Sequence, residues 1–356
     1  MPRKKTRNFG HPKNKDKRKD EEKKTKVNND QCLSGHEESS EGDGYVESTE
    51  KFKQVEIPGK GQGLVATTHL PVGTTIIEES PLITAENNSD GEDSITLDTA
   101  EIAANFRCLS EEQKSHVLSL HDPGPTSVNF FKLDEIDKKV VRIFMWNCIN
   151  LCGDPEMNVD KSGLYKTISR INHSCAPNVV WSWIQRDTSK SIKQVKVCRK
   201  IMEGEEILAM YCGGDDTFPC KVERQMDLKK WNFICKCEVC SLTGDELTIN
   251  DEARRKIKDL HEALNIKEKI GFYENALQDA REKLKVMKTM KKEMILSLPR
   301  ALMDCCELAA HCKLPSSTFE ELMQKAKEMT LLHGDVRVYD YNKTEKRLKR
   351  IQQRQR

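Results

Sequence analysis

The chain has 356 residues, enough for two domains, and its 59 basic and 57 acidic side chains leave a net charge of only +2, which excludes an overall field favouring nucleic acid. No apolar run approaches the length of a membrane span and the N-terminus lacks the apolar core of a signal peptide, so the sequence reads as soluble and intracellular. In that setting its 14 cysteines are read as thiols and metal ligands rather than a disulfide framework.

Residues 1–50 open with the basic stretch MPRKKTRNFGHPKNKDKRKDEEKK and continue through the acidic, Ser/Gly-rich EESSEGDGYVESTE. Neither stretch can bury enough apolar surface to offset its ordering entropy, so a disordered tail is predicted. Its runs RKKTR and KDKRK read equally well as a solubilising segment or as an import patch making a weak nucleic-acid contact. Over 51–97, VEI, GLVAT and TTIIEES cluster β-branched residues between Gly and Pro and predict short strands. Over 98–150 the period turns helical, with a capping box from Ser110 and Gln113 and apolar spacings of three and four in LDEIDKKVVRIFMWNCIN.

Strands are predicted again within 151–215, in NVVWSWIQ, in SIKQVKVCRKI and, after a Glu203-Gly204 turn, in EEILAMY. Residues 216–245 carry a cysteine cluster. Residues 246–356 read as a helical C-terminal domain with caps at Asn250 and around Ser316–Thr318 and a stop at Gly334. In the cluster, Cys235, Cys237 and Cys240 follow a C-x-C-x-x-C spacing that turns three thiolates toward one ion. A closed structural zinc site takes four ligands, and Cys175, Cys198, Cys212 and Cys220 are all candidates for the fourth.

Four motifs, GKGQG, RINHSCAPN, GEEILAMY and FICKCEVC, occur in an order that resembles the SET-domain protein lysine methyltransferases with their post-SET zinc site. GLYKTISRINHSC and the helical tail are most similar to the SET-and-MYND subfamily. The resemblance is good over residues 52–245 and rests on helical character alone beyond them. It implies an α+β fold: the SET β-fold of small sheets with a pseudo-knot, a helical insert, a post-SET zinc site and an all-α C-terminal region. The MYND finger has no counterpart, because Leu64–Phe106 holds no Cys and a single His, His69.

The resemblance also implies an activity: transfer of a methyl group from S-adenosylmethionine to histone or non-histone lysines, in the nucleus or cytoplasm, by a monomer with a protein substrate. Lys60, Gly61 and Gln62 match the loop at the methionine end of the cofactor, Gly61 by letting the backbone come close. Asn172 and His173 match the pair beneath the cofactor, Ser169 and Asn147 match further contact positions, and Phe233 matches the aromatic against the adenine. Cys175 matches the fourth zinc ligand beside Cys235, Cys237 and Cys240, and four thiolates leave no open position, so that metal is structural. Tyr211 matches the catalytic tyrosine, and Trp183 and Trp231 fall where aromatics wall the lysine channel. The competing reading is a catalytically silent SET module acting as a zinc-stabilised scaffold; the joint presence of Tyr211, Asn172, His173 and GKGQG favours the enzyme.

Overall fold

The computed structural model describes residues 51–89, 95–125, 133–150, 161–187, 190–211, 218–290, 292–333 and 341–355, all within one unit of the chain, Asp43–Arg356. The basic tail, Cys212 and Gly334 lie outside the described residues.

In chain order, β1 (Phe52–Ile57) and β2 (Gly61–Ala66) form an antiparallel hairpin. Then come β3 (Thr75–Glu79), β4 (Ile83–Ser89) and β5 (Ile95–Leu97). The helical insert is α1 (Thr99–Arg107), α2 (Glu111–Leu118) and α3 (Glu135–Asn147). The chain returns through β6 (Ile149–Asn150), β7 (Lys161–Leu164), β8 (Asn172–His173), β9 (Val179–Asp187), β10 (Lys190–Val197) and β11 (Leu208–Ala209). The rest of the described chain is helical: α4 (Lys221–Leu228), α5 (Gly244–Lys269), α6 (Tyr273–Thr289), α7 (Leu298–Ala310), α8 (Ser316–His333) and α9 (Tyr341–Gln355).

The strands make small sheets: β1-β2, the antiparallel β3-β10-β9, the parallel pair β11-β8, and β5-β4-β7-β6. Branched aliphatic residues meet between them, with Leu64, Ile76, Ile77, Val179, Val195, Val197, Ile201 and Ile207 in one buried cluster. The insert forms its own core, because Val140, Val141, Ile143 and Phe144 fall on one face of α3 and pack with Ile102, Phe106 and Val117. Its helix starts follow side-chain chemistry. Asp98 accepts from the Ala100 and Glu101 N–H groups, Asp134 accepts from Asp137, and both halves of the Ser110–Gln113 box are formed.

One expected cap is corrected. Asn250 does not begin a helix: α5 starts six residues earlier at Gly244, and Asn250 is buried inside it. There its amide donates to the Glu293 carboxylate (2.9 Å) and its carbonyl oxygen accepts from Arg254 Nε (2.9 Å). A tertiary carboxylate thus takes the polar side chain that local sequence offered to the backbone.

The segment that positions the site is 204–211. On one side the Ala66 N–H donates to the Glu205 carbonyl (2.9 Å) and the Ile207 N–H to that of Leu64 (2.8 Å). On the other, β11 runs parallel to β8 with Leu208 opposite Asn172 and Ala209 opposite His173, and Ser174 and Asn178 donate back to Ala209 and Leu208. The NHSC segment and the approach to Tyr211 are therefore locked together although nearly forty residues separate them. Among the described residues, no helix is long and apolar enough to cross a membrane.

Candidate active site and cysteine cluster

β8 and β11 end side by side, and the side chains at their ends interlock. The Tyr211 N–H donates to His173 Nδ1 (3.0 Å), and the Tyr211 hydroxyl donates to the Ile171 carbonyl (2.6 Å). Because Nδ1 accepts, the proton of the neutral imidazole sits on Nε2, which lies 3.4 Å from Cys175 Sγ. Burial drives the His173 pKa down to about 4, so the ring is neutral near pH 7. Burial also pushes the Tyr211 phenol well above its ordinary value, with Glu206 adding to the effect. Tyr211 packs at tilted angles between His173 (5.3 Å) and Trp231 (5.4 Å), and Phe233 lies 6.0 Å from His173.

Asn172 points the other way. Its amide donates to Glu206 Oε1 (2.9 Å) and toward the Gln62 carbonyl (3.3 Å), while Lys60 Nζ reaches Glu206 Oε2 (2.5 Å). Glu206 thus ties the glycine loop to the Asn-His strand. Sequence reasoning left it unassigned, although it lies within the GEEILAMY motif. At Gly61 the backbone takes a φ of +74°, which glycine adopts freely, and no protein atom lies within 4 Å of a Cβ built there. The crowded glycine is Gly63, where a Cβ would stand 2.6 Å from Ile57 Cγ1 and 2.7 Å from Asn172 Nδ2.

Asn147 and Ser169 meet each other, since the Ser169 hydroxyl donates to the Asn147 carbonyl (2.9 Å) and accepts from the Tyr165 N–H (3.1 Å). The Asn147 side chain donates to the carbonyls of Ile143 (2.7 Å) and His121 (2.8 Å), so both side chains brace backbone. A second acid unmarked by any motif stands behind this turn. Buried Glu79 accepts from the Thr167 and Ile168 N–H groups (3.0 Å each), and desolvation raises its pKa to about 7 despite those bonds. The Trp183 backbone pairs with Lys193 in the sheet, and its side chain lies outside the described residues.

Cys175, Cys235, Cys237 and Cys240 converge, with all four sulfurs within 4.8 Å of one another and Cys175 Sγ 3.5 Å from Cys240 Sγ. Four sulfurs at about 2.3 Å around one tetrahedral zinc stand roughly 3.8 Å apart, so this donor set fits that ion. Without a metal, hydrogen bonding among the crowded sulfurs pushes the Cys237 pKa down and that of Cys175 up. Of the other candidates for fourth ligand, Cys198 packs against Val180 and Ile295, and Cys220 caps α4. The α4 residue Gln225 clamps the cluster's entry, donating to the Cys235 carbonyl (2.8 Å) and accepting from its N–H (3.1 Å).

Residues 61–212 match the SET domain family model, a span that takes in Gln62, Asn172, His173, Cys175, Glu206 and Tyr211. This chain carries a SET domain. Among curated relatives it is similar to "Histone-lysine N-methyltransferase set5" of Schizosaccharomyces pombe, 30% identical over 209 residues, covering 58% of this chain and 56% of that one. It is also similar to "N-lysine methyltransferase SMYD2" of Homo sapiens, 26% identical over 233 residues, covering 63% and 48% respectively. The chain thus spans about half the length of these relatives. In both alignments the likeness extends beyond the 152 residues of the SET domain itself.

Proposed function

We propose that this protein is an S-adenosylmethionine-dependent protein lysine N-methyltransferase, acting on a lysine of a histone or another protein in the nucleus or cytoplasm. The observation that carries the reading is the joint anchoring of Tyr211. Its hydroxyl is held by the Ile171 carbonyl and its backbone by His173, two residues past β11, the strand that pairs with Asn172 and His173. The names of the relatives support the same class of reaction.

The cofactor fits the donors present. A positive-φ glycine loop, the Asn172 amide, a neutral imidazole and the Phe233 ring together suit an amino-acid end, a cation and an adenine. Lys60, Gly61, Gln62, Asn172, His173 and Phe233 would hold it, with Asn147 and Ser169 shaping the turn beneath. When bound, S-adenosylmethionine supplies an activated methyl group on a sulfonium. The chain's own task is to bring a lysine in line, as a free amine, with water excluded.

A lysine amine titrates near 10.4, so the free base costs about 4–5 kcal/mol at neutral pH, and burial in an aromatic channel lowers that cost. Trp231 suits the channel wall. It lies 5.4 Å from Tyr211, and its ring already carries a cation, with Lys230 Nζ 4.2 Å from the centroid. Trp183 is proposed for the opposite wall. The half-buried Tyr211 phenol stays protonated and orients the incoming nitrogen through its oxygen. The four cysteines would hold one structural zinc that pins Trp231 and Phe233 over the site.

The test is transfer of labelled methyl to histones and lysate proteins, with Tyr211→Phe alongside. Wild type should label protein lysines, and the variant should fall by at least about 100-fold while binding the cofactor nearly as well. Equal labelling by the two would remove Tyr211 from the reaction. Cofactor binding without any labelling across substrates would favour the scaffold instead.

A further inference from the structure

Two arginines are buried near the cysteine cluster, and their surroundings differ. Arg254 is 4% exposed and faces the Glu293 carboxylate at 3.1 Å. Arg224, on α4, is 3% exposed and has no carboxylate among its partners in the described residues. Its Nη1 donates to the Pro219 carbonyl (2.9 Å), its Nη2 is directed at Cys240 Sγ (3.8 Å), and its Nε finds no partner among the described residues. A buried guanidinium without a counter-ion is strongly destabilising. Among the described residues, the group in contact with Arg224 that can carry negative charge is a sulfur, Cys240 Sγ; the Glu223 carboxylate acts on it without a direct contact.

The deficit has a complement. Four cysteinates around one zinc dication leave two net negative charges, and a sulfur that accepts an N–H bond shares that charge with its donor. We propose that Arg224 is the cationic partner of the tetrathiolate site, donating to Cys240 and offsetting the charge left when four cysteinates bind one dication. The proposal rests on the zinc reading above. It gives α4 a purpose that its surface hides: Arg224 reaches one ligand, Gln225 clamps the backbone of another, and Leu228 packs against both, so the helix and the metal hold each other. Trp231 and Phe233 leave the end of this helix and lie against the same cluster. Loss of the Arg224 contact should therefore also loosen the aromatic wall of the site.

The experiment measures zinc stoichiometry and affinity by chelator competition on the full chain at fixed pH. Wild type is compared with Arg224→Gln, which keeps hydrogen bonding without charge, and Arg224→Lys, which keeps the charge. Circular dichroism and thermal melting of the zinc-saturated proteins check folding. Arg224→Gln should bind one zinc with affinity lowered about 10- to 100-fold, and Arg224→Lys should stay within about threefold of wild type. If Arg224→Gln does not fold, Arg224→Lys decides: a loss of 10-fold or more there would overturn the proposal. A folded Arg224→Gln that binds zinc as tightly as wild type would overturn it too. Wild type that takes up no zinc would overturn the four-cysteine site itself, an outcome distinct from unchanged affinity in the variants.

Discussion

The region around Tyr211 and the C-terminal helices are held together by different forces. Around the site the apolar contribution is thin: Ala176, Leu228 and Val239 are the fully buried aliphatic residues packed among the cysteines. Sulfur, backbone clamps and the Asn172–Glu206–Lys60 link supply the remaining order. In α5–α9 the order comes from a large apolar core including Leu277, Met287, Leu302, Met303, Phe319 and Leu348, and buried Lys283 is paired with Asp304. The difference predicts that the proposed zinc contributes to the cohesion of the first region and not to that of the second.

The comparison can be broken most forcefully at the cysteines. Cys237→Ser should abolish stoichiometric zinc binding and with it most cofactor affinity, while the helical half keeps its far-UV circular dichroism; metal analysis and calorimetry read this out. In the opposite half, Phe319→Ala should lower unfolding free energy by about 3–5 kcal/mol in denaturant titrations, with zinc stoichiometry unchanged. Equal damage to zinc binding from both substitutions would erase the distinction.

A pH dependence sharpens it further. The Glu79 pKa is raised from 4.5 to about 7 in the fold, so the folded state binds the extra proton, and the group's contribution is fully present below pH 4.5 and lost as pH rises through 7. The window is worth about 3 kcal/mol. Glu79→Gln should flatten that part of the stability-versus-pH curve, and a curve of unchanged slope between pH 4.5 and 7 would contradict the assignment. The smallest effect expected is at Gly63. Gly63→Ala must displace Ile57 or Asn172, and should lower stability by about 1–3 kcal/mol and weaken cofactor binding measurably by calorimetry.

Much of this was legible along the chain. The strands of the hairpin, the Ser110–Gln113 box and the amphipathic α3 follow from local spacing and side-chain capping, which act within a turn or a pleat. The residues that meet at Tyr211 were named from motifs. Glu206, Glu79 and Arg224 were not, because their meaning lies in partners far away in sequence: Glu206 on Asn172 and Lys60, Glu79 on the turn at 167–168, Arg224 on Cys240. Asn250 misled for the same reason, since a helix-capping residue type was drawn into a buried network with Glu293.

By itself, then, the sequence determined the elements, the four motifs and the three closely spaced cysteines, since propensity, periodicity and ligand spacing are short-range properties. Cys175 was indicated by the resemblance but not by spacing, and only the tertiary structure decided that the Tyr211 N–H fixes the His173 tautomer and that a buried arginine faces sulfur instead of carboxylate. Those outcomes depend on the parallel pairing of β8 with β11 and on where α4 comes to rest. A hydrogen bond or an ion pair exists only once the fold has brought both partners within a few ångströms and shut out the water that would otherwise serve each of them.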